Sequence, residues 1–214
     1  MTVVTMMKPG DRWAAGPGGP ATLLFRRYHG SLDSITDSER RALRPIGTTA
    51  HDVAMRTGVL LADLFAFPNV QIFQGIRPVD TGAPRIQHAI SAGRQVMLIE
   101  SVAWPPGQYV IATASGRIHC DGMYTGQSVG PLIAAVWHWR EILPDDHFVS
   151  ALVVVHPIAQ GDLTLPAPVA LDLAWVCADH AVHEIQARLP CGREEVSMTA
   201  VTALAAATAE EENR

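Results

Sequence analysis

A chain of 214 residues, 48% apolar and 17% charged, is long enough for one sizeable α/β core. Its net charge of −5 and single lysine, Lys8, leave out the clustered cations on which non-specific nucleic-acid binding depends, so no strong affinity for DNA or RNA is expected. No apolar run approaches the ~20 residues that span a bilayer, which predicts no membrane partner.

The N-terminus lacks the apolar core and small-residue cleavage site of a secretory signal. Cys120, Cys177 and Cys191 are an odd, sparse set that suits a reducing compartment better than a disulfide framework, and the expected location is cytoplasmic. A local basic face would have to be assembled from Arg77, Arg85, Arg94 and Arg117; scattered surface arginines are the simpler reading.

In chain order, residues 1–20 carry PGDRWAAGPGGP, too rich in Pro and Gly for regular structure, and read as a flexible tail. ATLLFRRY (21–28) predicts a short strand, and SERRALR a helix capped by Ser34 or Thr36 and ended by Pro45. TTAHDVAMRTGVLLADLFAF predicts a helix capped by Thr48 or Thr49, with Val53, Met55, Val59, Leu60, Leu64 and Phe67 as its apolar stripe.

The period then changes. Residues 70–77 alternate as a strand does, and 78–84 (PVDTGAP) have turn chemistry. IQHAISA and QVMLIESVA are strands joined by a glycine turn, WPPG turns the chain, and QYVIATA-SG-RIHC reads as a hairpin. DGMYT is a poor strand. PLIAAVWHWREIL is a helix with Pro131 in its first turn, closed by Pro144. HFVSALVVVHP is a continuous apolar run, which predicts a strand buried on both faces. LDLAWVCA follows as a strand, HAVHEIQARL as a helix capped by Asp179, and REEVSMTAVTALAAATAEEENR as an Ala-rich helix with an acidic end.

These elements predict an α/β fold with a central mixed sheet flanked by helices. The expected organisation is a tail at 1–20, a single α/β domain at 21–190, and a C-terminal helix with an acidic tail at 191–214.

The order, together with RIQHAISAGRQVMLIESV at 85–102, resembles the nuclease-related (NERD) group of the PD-(D/E)xK restriction-endonuclease-like fold. In that family one strand carries an aspartate, commonly as I-D-H, and the next carries E-x-K. A helix with a glutamine and a hydrophobic strand follow. Here Ile86-Gln87-His88 stands at I-D-H with Gln replacing Asp, and Glu100-Ser101-Val102 at E-x-K with Val replacing Lys. Gln127 resembles the helix glutamine, and Leu152 to His156 the following strand. The first-helix glutamate falls near Ala54, with Asp52 the nearest carboxylate.

The resemblance implies a pocket of Asp52, Gln87, His88, Glu100 and Gln127 that has lost its metal chemistry. In the family, two carboxylates hold a divalent cation that polarises the phosphate and acidifies a bound water. A neutral amide and a valine do not supply that site. The expected protein is therefore a catalytically inactive nuclease-related domain, without cofactor, that acts as an interaction or scaffolding module. Its partner would be another protein or a second copy of itself, and by fold analogy its setting is DNA metabolism. The alternative is a nuclease that uses Mg²⁺ or Mn²⁺ at an atypical site around Glu100, with Asp52 or Asp80.

Three other constellations compete. Gly126-Gln127-Ser128-Val129-Gly130 matches G-x-S-x-G, with Asp162 or Asp172 and His180 or His183 downstream in the order of a serine hydrolase. Ordinary helix entry, with Ser128 or Gln127 near the cap, is the simpler reading. Cys177, His180, His183 and Cys191 suggest zinc, but on a continuous helix residues 177 and 183 lie about 120° and about 9 Å apart. In Trp137-His138-Trp139, residues two apart on a helix face different sides, so at least one tryptophan belongs near the surface or an interface.

Overall fold

The computed structural model describes residues 27–33, 35, 43–77, 85–168, 172–190 and 195–209. The expected tails at both ends, the helix through SERRALR, the turn at 78–84 with Asp80, and Cys191 lie wholly or mostly outside the described residues.

The first described strand is β1 (Tyr28–Gly30), and the strand expected at 21–28 lies mostly outside the described residues. Helix α1 (Ala50–Leu61) continues as a 3-10 turn (Ala62–Ala66). Thr49 caps α1 by accepting a hydrogen bond from Asp52 N at 3.0 Å, which satisfies one of the amides that a helix start leaves open. Three strands follow: β2 (Val70–Ile76), β3 (Ile86–Ala92) and β4 (Gln95–Trp104). Then come β5 (Gly107–Ala112), β6 (Arg117–Cys120) and β7 (Met123–Ser128), helix α2 (Gly130–Ile142), and β8 (Phe148–Pro157). The chain continues through β9 (Leu163–Thr164), β10 (Leu173–Cys177), a 3-10 turn (Ala178–His180), α3 (Ala181–Arg188) and α4 (Met198–Ala209).

Two mixed sheets result. The larger has the order β1-β2-β3-β4-β8-β10. Its β2, β3 and β4 run antiparallel in sequence, whereas β1 pairs parallel with β2, and β8 lies parallel between β4 and β10. The β-branched run of β8 is buried on both faces, as a central parallel strand requires. The smaller sheet, β7-β6-β5-β9, was only half legible: DGMYT lies largely within strand β7, because pairing with β6 outweighs its poor propensity.

Alternation along the strands sends side chains to two distinct cores. On one face, Ile72, Ile90, Met97, Ile99, Leu152 and Val154 pack with Leu61 and Leu64 and with Ala181 and Ile185 of α3. On the other, Phe73, Ala89, Leu98, Val102, Trp104 and Val153 pack with α2, α4 and the small sheet. Trp104 joins the sheets, stacking on Tyr109 at 4.2 Å and on Trp175 at 5.3 Å.

The apolar stripe expected on α1 is rotated. Met55 and Val59 are exposed, and Ala50, Val53, Ala54, Thr57, Gly58 and Leu61 face inward. Small residues let the helix lie close on the sheet. A Cβ at Gly58 would stand 3.2 Å from the Tyr28 hydroxyl and 3.4 Å from His88 Nε2. Asp179 does not cap α3; the cap position is His180, without a side-chain hydrogen bond. The C-terminal helix α4 covers the sheet, with Ala200, Val201, Leu204 and Ala207 buried against it. No described helix is long and apolar enough to cross a membrane.

Candidate functional site

Gln87 and Glu100 meet on the α2 face. Register pairs His88 with Ile99, and beyond that pair β4 continues along β8 alone. Where β3 lets go, the Gln87 side chain takes over the ladder: its Oε1 accepts from Ser101 N at 2.7 Å, and its Nε2 donates to Ser101 O at 3.2 Å. Gln87 N donates in turn to Glu100 Oε1 at 3.2 Å. All three residues are buried. The side-chain amide offers a donor and an acceptor to one peptide group; an ionised aspartate would leave Ser101 O unpaired.

Val102, at the place of the lysine, is fully buried in the core. Next along the same face of β4, Trp104 Nε1 donates to Gln127 Oε1 at 3.4 Å, and Arg44 N donates to the same oxygen at 3.2 Å. Gln127 is thus near this row. It is placed there by strand β7, not by helix α2 as expected, because β7 keeps to β6 as far as Ser128, which pairs with Arg117, before the helix begins at Gly130.

The other two members of the expected pocket lie elsewhere. Asp52 is exposed in the first turn of α1, and its hydrogen bond from Thr49 holds the carboxyl below the usual range. His88 points to the opposite face, towards Gly58 of α1. Burial pushes its pKa down to about 3, and neither ring nitrogen has a hydrogen-bond partner among the described residues. On that same face Ser101 Oγ is also unpartnered, and His156 Nε2 lies 2.8 Å from Thr57 Oγ1 with a pKa lowered to about 4, chiefly by burial.

The group that the resemblance implies, a hard divalent cation, does not suit these residues. The one oxygen that Gln87 has to offer is neutral and already accepts from Ser101 N at 2.7 Å. Among the described residues, no three His, Cys, Asp or Glu side chains form a ligand group. Cys177, His180 and His183 are split between the end of β10, the 3-10 turn and α3.

Ser128 does follow a strand and precede a helix. Its Oγ nevertheless accepts from Gly130 N at 3.2 Å, as a helix-entry serine does. Three of the four arginines considered as a basic face have separate side-chain contacts, and Arg77 is held through its main chain. Arg85 donates to Gly75 O, Arg94 pairs with Asp146 at 3.1 Å, Arg117 lies over Tyr124, and Arg77 N donates to Ala207 O. Of the paired tryptophans, Trp139 is buried and Trp137 is 59% exposed with the Arg140 guanidinium 5.1 Å from its ring centre. Sequence reasoning missed Ser101, whose main chain is what Gln87 serves; no side-chain motif signals a backbone partner. No family model, no curated protein and no solved structure matches the chain.

Proposed function

We propose that this chain is a nuclease-related domain that does not cleave nucleic acid and that works as a protein-interaction or scaffolding module. Leaving aside the small-sheet strands β5–β7 set between β4 and α2, the order α1-β2-β3-β4-α2-β8, with three antiparallel strands and a parallel fourth, supports the nuclease-related part of the reading. The observation that carries the inactive part is the Gln87 amide. At the position where a nuclease of this type needs a free anionic oxygen, both polar atoms of the side chain close the β3–β4 ladder on Ser101. The interaction part draws on Trp137, an exposed tryptophan backed by the Arg140 guanidinium that Asp172 holds, an aromatic of the kind that anchors protein contacts.

The test has two arms. Incubated with plasmid and single-stranded DNA in Mg²⁺ or Mn²⁺, the folded protein is expected to leave both intact; metal-dependent cleavage abolished by Glu100→Ala would establish the nuclease alternative instead. In native lysate, a stoichiometric protein partner or self-association is expected to survive Glu100→Ala and to weaken with Trp137→Ala. A protein that stays monomeric and partnerless sinks the scaffolding arm.

A further inference from the structure

Around the turn between α2 and β8, three side chains form a relay that is separate from the Glu100 row. The His147 side chain is only 6% exposed. Its Nδ1 lies 2.9 Å from Asp146 Oδ1, and its Nε2 lies 2.7 Å from Ser197 Oγ. The second oxygen of Asp146 is held by Arg94 Nη1 at 3.1 Å, which fixes the carboxylate plane.

An ionised Asp146 can only accept, so in the neutral imidazole Nδ1 carries the proton and Nε2 is left as the acceptor. The Ser197 hydroxyl must then donate to Nε2. Serine, base and orienting carboxylate stand in the sequence of contacts that activates a nucleophile.

Ser197 also precedes α4, where Ala200 N donates to its Oγ at 3.3 Å and Val201 N donates to its carbonyl at 3.0 Å. A helix cap needs the oxygen alone; it does not need a nearly buried imidazole held in one tautomer behind that oxygen.

We propose that Ser197 is a nucleophile activated by His147 and oriented by Asp146, and that it accepts acyl groups from small carboxylic esters. Ser197 Oγ attacks the ester carbon as its proton passes to His147 Nε2. The C–O bond to the leaving group breaks, and the departing alcohol takes that proton. Water, deprotonated by the same nitrogen, then attacks the acyl-enzyme and releases the acid, restoring the serine. Ser197 is half-buried and Asp146 half-exposed, so the relay reaches the surface.

The experiment treats the full chain with a fluorophosphonate probe and with p-nitrophenyl acetate, and maps the label by peptide mass spectrometry. A single label on Ser197 is expected. Ser197→Asn, which keeps the cap while removing the nucleophile, should lose both label and turnover with an unchanged melting curve. His147→Gln should slow turnover by about 10²–10⁴-fold, the usual share of a general base. The proposal is overturned if folded protein stays unlabelled where a known serine hydrolase labels, if the label sits on Ser128, or if labelling survives Ser197→Asn.

Discussion

Neighbouring positions on β3 and β4 send polar groups to opposite faces of the large sheet, and the two faces treat them differently. On the α2 side Gln87 is spent on both polar groups of Ser101's main chain, and Glu100 takes the Gln87 amide. On the α1 side His88 and the Ser101 hydroxyl are buried without hydrogen-bond partners among the described residues. Around Gln87 and Glu100 the polar groups satisfy one another, whereas His88 and the Ser101 hydroxyl directly behind them under α1 do not. A buried polar group costs free energy unless it is paired, so losing Gln87 should cost far more than losing His88.

The largest effect is expected from Gln87→Ala. It orphans a buried N–H and a buried C=O of Ser101 and should cost about 2–5 kcal/mol in urea unfolding, since each unmade bond is worth about 1–3 kcal/mol. A cost below about 1 kcal/mol would mean that water or a strand shift replaces the amide.

Acid comes next. His88 and His156 have folded pKa values of about 3 and about 4, below the ordinary 6.5. The unfolded chain therefore takes up protons that the folded chain refuses. Stability should be full above pH 6.5 and fall as pH drops towards the folded values, by up to about 1.4 kcal/mol per pH unit for each histidine. Urea midpoints between pH 7.5 and 4.5 would measure the slope, and a flat profile would mean that the α1 side is hydrated.

The smallest effect is expected from His88→Leu. At pH 7 it should change stability by no more than about 1 kcal/mol, in either direction, because it removes two unmet nitrogens and leaves no partner stranded. The same variant should take away one histidine's share of the acid slope.

Much of this arrangement was legible in the sequence. The strands from 70 to 104, the hairpin across Ser115-Gly116, the buried β8 and the Thr49 cap all follow from local period and turn chemistry. So did the separation of Trp137 from Trp139. The α1 stripe did not, because apolar periodicity counts large side chains, and here Ala54 and Gly58 set how closely the helix approaches. Strand β7 did not, because its partner strand decides it. Within the site, the residue types at 87, 100 and 102 were readable, but the side each faces and the main-chain partner of Gln87 depend on where β3 parts from β4. The His147–Ser197 contact joins residues 50 apart with no motif between them.

The position of α4 has a consequence for biosynthesis. Its apolar residues close the same core as Phe73 and Ala89, and Arg77 N donates to Ala207 O across 130 residues of chain. During translation β2 and β3 therefore emerge, pair and wait with one apolar face uncovered until the last described helix has been made. At roughly 5–20 residues per second that wait lasts many seconds, a window in which a chaperone or another nascent chain competes for the surface that α4 finally takes.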